Sequence, residues 1–208
     1  MASRRSHRPS RNTHTSARLQ EGRIRLIGGE YKRRLLPVLD SPGLRPTPDR
    51  TRETLFNWLM NALPGAYVLD LFSGSGALGF EALSRGAAQV QLVERNTAIA
   101  KRLHENTVTL GAEQKVVITQ VDALQWLKTT PKTSFDIVFI DPPFHNDLVM
   151  PSCELLETQG LLADNAYIYV EVEAGTTPTL PPHWQLHREA RAGESRAYLY
   201  KRQTPAAN

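Results

Sequence analysis

From residue 66 onward, apolar runs of strand length alternate with longer stretches whose apolar positions fall three and four apart. The runs cover 66–72 (AYVLDLF), 88–94, 115–121, 135–141 and 166–172. Between them lie helix-like stretches at 77–86, 96–110, 122–130 and 147–160, the second opened by Asn96 and the last closed by Gly160. A strand covered on both faces reads as a nearly continuous apolar run, and a helix between two such strands is the crossover that parallel pairing requires. The pattern predicts a parallel sheet with helices on both faces, the doubly wound α/β architecture. At the C-terminus the rhythm changes. WQLHREA and SRAYLYKR are separated only by Arg191 to Glu194, too few residues for a helix, so they are expected as an antiparallel hairpin. The result is a Rossmann-like, mostly parallel seven-stranded sheet.

Ahead of this domain, RIRLIGGEYKRRLLPV sets Ile24 and Leu26 between arginines, breaks at Gly28-Gly29 and resumes, which predicts a β-hairpin. RPTPDRTRETLFNWLM then predicts a helix, capped by Thr47 or Asp49, with Leu55, Phe56, Leu59 and Met60 on one face. The expected organisation is a basic arm over 1–20, a hairpin-and-helix extension over 21–62, the α/β domain over 63–203 and a short tail over 204–208.

Charge sharpens this division. The chain carries a net +4, yet its first 60 residues hold thirteen cations against five acids, which leaves the remainder at −4. The arm is rich in Ser, Thr and Arg and too poor in apolar residues to fold by itself. A basic front on an acidic body suggests a polyanionic partner at one end, with Arg23, Arg25, Arg33 and Arg34 of the hairpin as candidate nucleic-acid contacts. The single cysteine, Cys153, excludes an internal disulfide or a cysteine-rich zinc site and fits a reducing compartment. No apolar run approaches the roughly 20 residues that span a bilayer, so a cytoplasmic protein with no membrane partner is expected.

VLDLFSGSGALGFEAL carries Gly74, Gly76 and Gly79 in G-x-G-x-x-G spacing between a strand and a helix, with Glu94 twenty residues beyond Gly74. By spacing alone this is a dinucleotide site, and a nicotinamide oxidoreductase is one reading. Asp70 opposes it, because a carboxylate beneath the loop repels a pyrophosphate and attracts a cation. S-adenosylmethionine suits that charge, having an amino group, a sulfonium and no phosphate. Phe72, Ser73, Gly74 and Gly76 would form the cradle, Glu94 would accept the two ribose hydroxyls, and Asp122 with Ala123 would meet the adenine amine. Strand-end acids also serve as ordinary caps, the bland alternative for each.

FIDPPFHND presents a second constellation. Asp141 ends the fourth run, Pro142 and Pro143 stiffen the chain after it, and Phe144 follows where a loop begins. A strand end and rigid turn would account for the prolines only. An exocyclic base amine, whose lone pair is delocalised, needs two acceptors on its hydrogens to become a nucleophile. The Asp141 carboxylate and the Pro142 carbonyl, fixed in direction by Pro143, supply them. Phe144 offers a face for stacking the base. His145 reads as an exposed loop histidine without partners, with contact to a nucleic acid as the alternative, and the direct transfer needs no metal.

With D-x-F-S-G-S-G, Glu94 and D-P-P-F in this order, the chain resembles class I S-adenosylmethionine-dependent methyltransferases acting on exocyclic base amines. IGGEYKRRLLPV, GLRPTPDRTRETLFNWL and DLFSGSGALGFEALSRGA look more closely like the bacterial 16S rRNA guanine-N2 methyltransferase family, over about residues 22 to 202. The resemblance implies N2-methylguanine as product and a small ribosomal subunit, partly assembled, as substrate. It also implies that Arg45, Thr47 and Arg50 belong to the part of the extension that closes over the cofactor and meets the RNA. Spacing does not choose the base, since D-P-P-F is also similar to the motif of adenine-N6 methyltransferases. Nothing in the pattern requires more than a monomer.

Overall fold

Five parallel strands and a terminal hairpin form the sheet that the apolar rhythm predicts. A computed structural model describes residues 21–39, 48–144 and 146–203; Arg45, Thr47 and His145, with the arm and the tail, lie outside them. The strands of the main domain are β3 (Tyr67–Asp70), β4 (Gln89–Glu94), β5 (Val116–Gln120), β6 (Phe135–Ile140), β7 (Leu162–Glu173), β8 (Trp184–Ala192) and β9 (Ser195–Arg202). Their order in the sheet is β5-β4-β3-β6-β7-β9-β8. All pairs from β5 to β7 are parallel, while β9 runs antiparallel to both β7 and β8. The chain builds outward from β3 to β5, then returns to β6 on the other side of β3. The strand order therefore reverses between β3 and β6, where open α/β sheets form their ligand crevice.

Each face of the sheet buries its own apolar layer. One face is covered by α4 (Ala123–Thr129) and α5 (Val149–Thr158), which bring Trp126, Leu127, Cys153 and Leu156 against Leu69, Val138, Ile140 and Val170. The other is covered by α1 (Asp49–Trp58), α2 (Ala77–Ser84) and α3 (Thr97–Leu110). The Asn96 side chain caps α3 by accepting from the N–H groups of Ala98 and Ile99, and Gly160, at φ 65°, lies just beyond α5.

All eight residues of α2 are buried, including Glu81. A helix with no solvent face needs a second cover, and the extension provides it. Its hairpin, β1 (Glu21–Arg25) paired with β2 (Leu35–Leu39), packs Ile24, Leu26, Leu36 and Val38 into the same core. Glu81 accepts from the N–H groups of Ile27 at 2.7 Å and Gly28 at 2.9 Å and from Arg85 Nε at 2.7 Å. Ser84 Oγ accepts from Tyr31 N–H at 3.0 Å. At Gly29, with φ 75°, a Cβ would stand 1.7 Å from the Ser84 carbonyl oxygen, so only glycine allows this approach. The extension is thus bolted to the main domain by buried polar contacts.

Four expectations are corrected. Asp49 does not cap α1: Pro48 occupies the cap position without a side-chain bond, and Asp49 Oδ1 instead accepts from Arg52 at 2.6 Å. Met60 is 61% exposed, because α1 ends at Trp58 and the helical period no longer applies. β7 begins at Leu162, four residues before the apolar run, after a register shift between Phe135 and Ile137 on β6. The last crossover helix is shorter at both ends, Val149–Thr158.

Candidate active site

The loop after β3 turns tightly because its backbone bonds to its own surroundings. Ser73 Oγ donates to the Asp70 carbonyl at 2.8 Å, Ser73 N–H to Val93 O at 3.0 Å and Gly76 N–H to Ser73 O at 2.7 Å. Gly74 and Gly76 take left-handed φ values of 48° and 76°, where an L side chain is strained. A Cβ on Gly79 would lie 2.3 Å from Leu92 Cδ2, so this glycine serves the close contact of α2 with β4. Phe72 is half-buried against the α4 side of the core, and Ser73 is buried.

Each acid expected around the cofactor also holds backbone. Asp70 is 2% exposed and its Oδ2 accepts from Gly79 N–H at 3.0 Å. Its carboxylate lies buried beneath the glycine loop. Burial raises its carboxyl to about 7; the Gly79 bond acts against this shift and Glu94 adds to it. Glu94 is half-buried, with Oε2 accepting from Gly74 N–H at 3.0 Å and Oε1 from Asn96 N–H at 2.7 Å. Its position ties the glycine loop to the end of β4. Asp122 is exposed and caps α4, with Oδ1 accepting from Leu124 N–H at 3.0 Å and Gln125 N–H at 3.1 Å, while Ala123 is buried in the first turn. A carboxylate has about four lone-pair sites, so these roles leave Glu94 and Asp122 acceptor capacity.

Asp141 follows β6 and Asp70 ends β3, on adjacent strands that pair Asp70 with Phe139. The glycine loop and D-P-P-F therefore flank the point where the strand order reverses. Asp141, Pro143 and Phe144 are half-buried and Pro142 is buried. Asn146, which sequence reasoning missed, donates its amide to the carbonyls of Pro143 at 3.2 Å and Phe144 at 3.0 Å and so pins the loop. Asp147, at φ 48°, takes a left-handed turn that Asp tolerates better than most residues.

The basic residues lie on the extension. Arg23, Arg25, Arg33, Arg34 and Arg50 are exposed, and Arg34 donates to the Thr109 carbonyl at 3.3 Å. Arg23 and Arg25, with Asp49, Arg52 and Ala77, line a cavity of about 290 Å³ between the hairpin and the start of α2. Arg52, also missed, is 2% exposed and donates to the Arg25 carbonyl at 3.0 Å. The signal was present: Arg52 falls three residues before Leu55, on the apolar stripe of α1, where a solvated arginine does not belong.

Comparison with known proteins gives a consistent result. A family model described as "Conserved hypothetical protein 95" matches residues 24–201. "Ribosomal RNA small subunit methyltransferase D" of Escherichia coli (strain K12) is 50% identical over 185 residues, which cover 88% of this chain and 91% of that one. The Haemophilus influenzae protein of the same name is 45% identical over 184 residues, covering 87% and 95%. Among solved structures, "Putative methyltransferase yhhF from Escherichia coli" superposes with a TM-score of 0.81 at 48% identity, over 88% of this chain and all of that one, 100%.

Proposed function

This chain belongs to the family described as Conserved hypothetical protein 95, and from that premise we propose that it methylates the exocyclic N2 of one guanine in small-subunit ribosomal RNA, within a partly assembled particle. At the coarser level it is an S-adenosylmethionine-dependent rRNA methyltransferase, as the near-complete coverage of relatives at 45–50% identity supports. The observation that carries a methyl-transfer site is the pairing of Asp70 with Phe139, which sets the glycine loop beside D-P-P-F at the switch point. The choice of guanine N2 over adenine N6 rests on the resemblance of IGGEYKRRLLPV and GLRPTPDRTRETLFNWL to the guanine-N2 family.

Asp70, Glu94, Asp122 and Asp141 all stand at the carboxyl edge of the sheet. Four acids there suit a ligand with positive charge and hydroxyls, and oppose a pyrophosphate. Glu94 takes the ribose hydroxyls, Asp122 the adenine amine, and Phe72 to Gly76 the methionine part; the family resemblance adds Arg45 and Thr47, which lie outside the described residues. When bound, S-adenosylmethionine supplies a methyl group on a positively charged sulfur, already activated as an electrophile.

The residues after β6 prepare the amine. Asp141 accepts from one hydrogen and the Pro142 carbonyl from the other, which fixes the nitrogen and favours its lone pair. Asn146 holds the two following carbonyls, so the loop keeps its direction. Phe144 stacks on the base, a contact worth about 1–3 kcal/mol. Alignment and electrostatics supply most of the acceleration, and the surplus amine proton leaves to Asp141 or to water. The guanine is splayed out of its helix, since its amine is otherwise hidden in the minor groove. Arg23, Arg25, Arg33, Arg34 and Arg50 meet the flanking phosphates, joined by His145 from the D-P-P-F loop.

The test is mass spectrometry of small-subunit rRNA nucleosides after treatment with the wild-type chain or Asp141→Ala. N2-methylguanine with the wild type and a loss of at least about a hundredfold with the variant, at unchanged cofactor affinity, is the expected result. N6-methyladenine as the product, or normal activity in the variant, overturns the reading.

A further inference from the structure

β7 carries a buried acid that the reaction as described does not use. Glu171 is 7% exposed, its Oε2 accepts from the Tyr169 hydroxyl at 2.8 Å, and its Oε1 accepts from Ser195 Oγ at 2.6 Å. Tyr169 and Ser195 are themselves buried. Three polar side chains withdrawn from water near a sheet's carboxyl edge carry a desolvation cost, and the apolar core around them would accept hydrophobic residues instead.

Their location relates them to the reacting edge. In the parallel ladder of β6 and β7, Phe139 pairs with Tyr169 and Ile140 with Val170. Glu171 comes next on β7, and Asp141 is the first residue past the end of β6, on strands that lie about 4.8 Å apart where they pair. Phe139 and Tyr169 meet edge to face with centroids 6.2 Å apart. After burial and Glu171, the charge of Asp141 is a further influence raising the Tyr169 hydroxyl above its ordinary range. Two carboxylates therefore lie on neighbouring segments at the carboxyl edge of the sheet, Asp141 at the switch point and Glu171 one strand beyond it, and Glu171 is held by two hydroxyl donors that fix its direction.

A guanine edge offers two neighbouring donors, the N2 amine and the N1–H. An adenine edge offers the N6 amine beside N1, which is an acceptor. We propose, resting on the guanine-N2 reading above, that Glu171 accepts the N1–H of the target guanine while Asp141 takes its N2 amine, with Tyr169 and Ser195 as positioning residues. Its two remaining lone-pair sites serve the base, because the hydroxyls occupy the other two. An adenine set in the same place would direct its N1 lone pair at a carboxylate, and that repulsion is the discriminating element. The adjacent acids thus select the base as well as hold it.

The experiment first maps the N2-methylguanine made by the wild-type chain in small-subunit rRNA. The mapped RNA is then synthesised with guanine or 2-aminopurine at that position and assembled with small-subunit proteins. 2-Aminopurine keeps the 2-amine but has an acceptor at N1, and its missing O6 affects every enzyme form alike. Wild type should prefer guanine in kcat/KM by about tenfold or more. Glu171→Gln, whose amide can donate to an acceptor at N1, should narrow that preference by about tenfold, mainly by losing activity on guanine. Tyr169→Phe, which leaves the ring packing and removes one orienting donor, should narrow it less and serves as the decisive variant if Glu171→Gln does not fold. A preference unchanged within about twofold in variants that melt normally gives Glu171 a purely structural role and overturns this proposal alone. Absence of N2-methylguanine with the wild type overturns the guanine reading and the proposal together.

Discussion

Replacing Asp70 by asparagine keeps an oxygen for the Gly79 N–H and removes the charge buried with it. Burial raises the Asp70 carboxyl from 3.8 to about 7. Between those values the folded chain holds a proton that the unfolded chain has released, so folding binds protons. The stability contributed by this group is complete below about pH 4, falls as pH rises and is spent above about pH 7. At about 1.36 kcal/mol per pKa unit, the wild-type chain should lose about 2.5 kcal/mol between pH 5 and 8 that Asp70→Asn retains. Urea unfolding of both chains at pH 5, 6, 7 and 8 reads this directly, since every other titrating group is shared and cancels in the difference. A stability difference constant to within about 0.5 kcal/mol over that range would refute the reasoning, and would mean that the start of α2 stabilises the anion enough to offset burial. The same linkage predicts that a cationic ligand bound above the loop at pH 7 favours the ionised form. Calorimetric heats of cofactor binding should then vary with the ionisation enthalpy of the buffer.

Two further outcomes test the extension. Glu81→Ala strands the N–H groups of Ile27 and Gly28 and the Arg85 guanidinium, and should cost about 3–5 kcal/mol in urea unfolding; a loss below about 1 kcal/mol would mean that the hairpin docks by apolar packing alone. Arg23→Gln with Arg25→Gln should weaken binding to a small-subunit rRNA fragment and lower the slope of log K against log salt by about one per cation, measured by filter binding between low and moderate salt. An unchanged slope removes these residues from the phosphate contacts.

The apolar rhythm made the sheet legible because its strands are covered on both faces, and a strand in that setting has no competing pattern. Where cover is one-sided the reading slipped. Ala163, Asp164 and Asn165 are polar or small, yet they extend β7 along β6 through an irregular register. Met60 shows the opposite error: the period of 3.6 continues on paper past the point where α1 stops. Asp122 and Glu94 expose a deeper ambiguity. Each accepts backbone N–H groups, as a capping acid would, and each stands at the carboxyl edge, as a ligand-binding acid would. Residue type and spacing are the same for both roles, so only the position in the sheet separates a cap with spare lone pairs from one facing solvent.

The buried acids missed from sequence share one physical trait: each has one local partner, Arg85 for Glu81 and Tyr169 for Glu171, but the partners that complete its site are distant along the chain. Glu81 also accepts from residues more than fifty positions earlier, and Glu171 from Ser195, twenty-four positions later on a strand that pairs with its own. ALGFEALS reads as a helix apolar all round with one acid in it, and nothing local says that a hairpin will cover that acid. Once the hairpin is seen to be locked by Glu81 and Ser84, the extension ceases to be an appendage. Its exposed arginines are held at fixed positions relative to α2, and through α2 to the glycine loop and the switch point. A cationic surface on a flexible linker would raise affinity for RNA without choosing among its bases. Held rigidly against the helix that follows the glycine loop, the same charges would, under the proposed function, fix where the phosphates lie and so which base can reach Asp141.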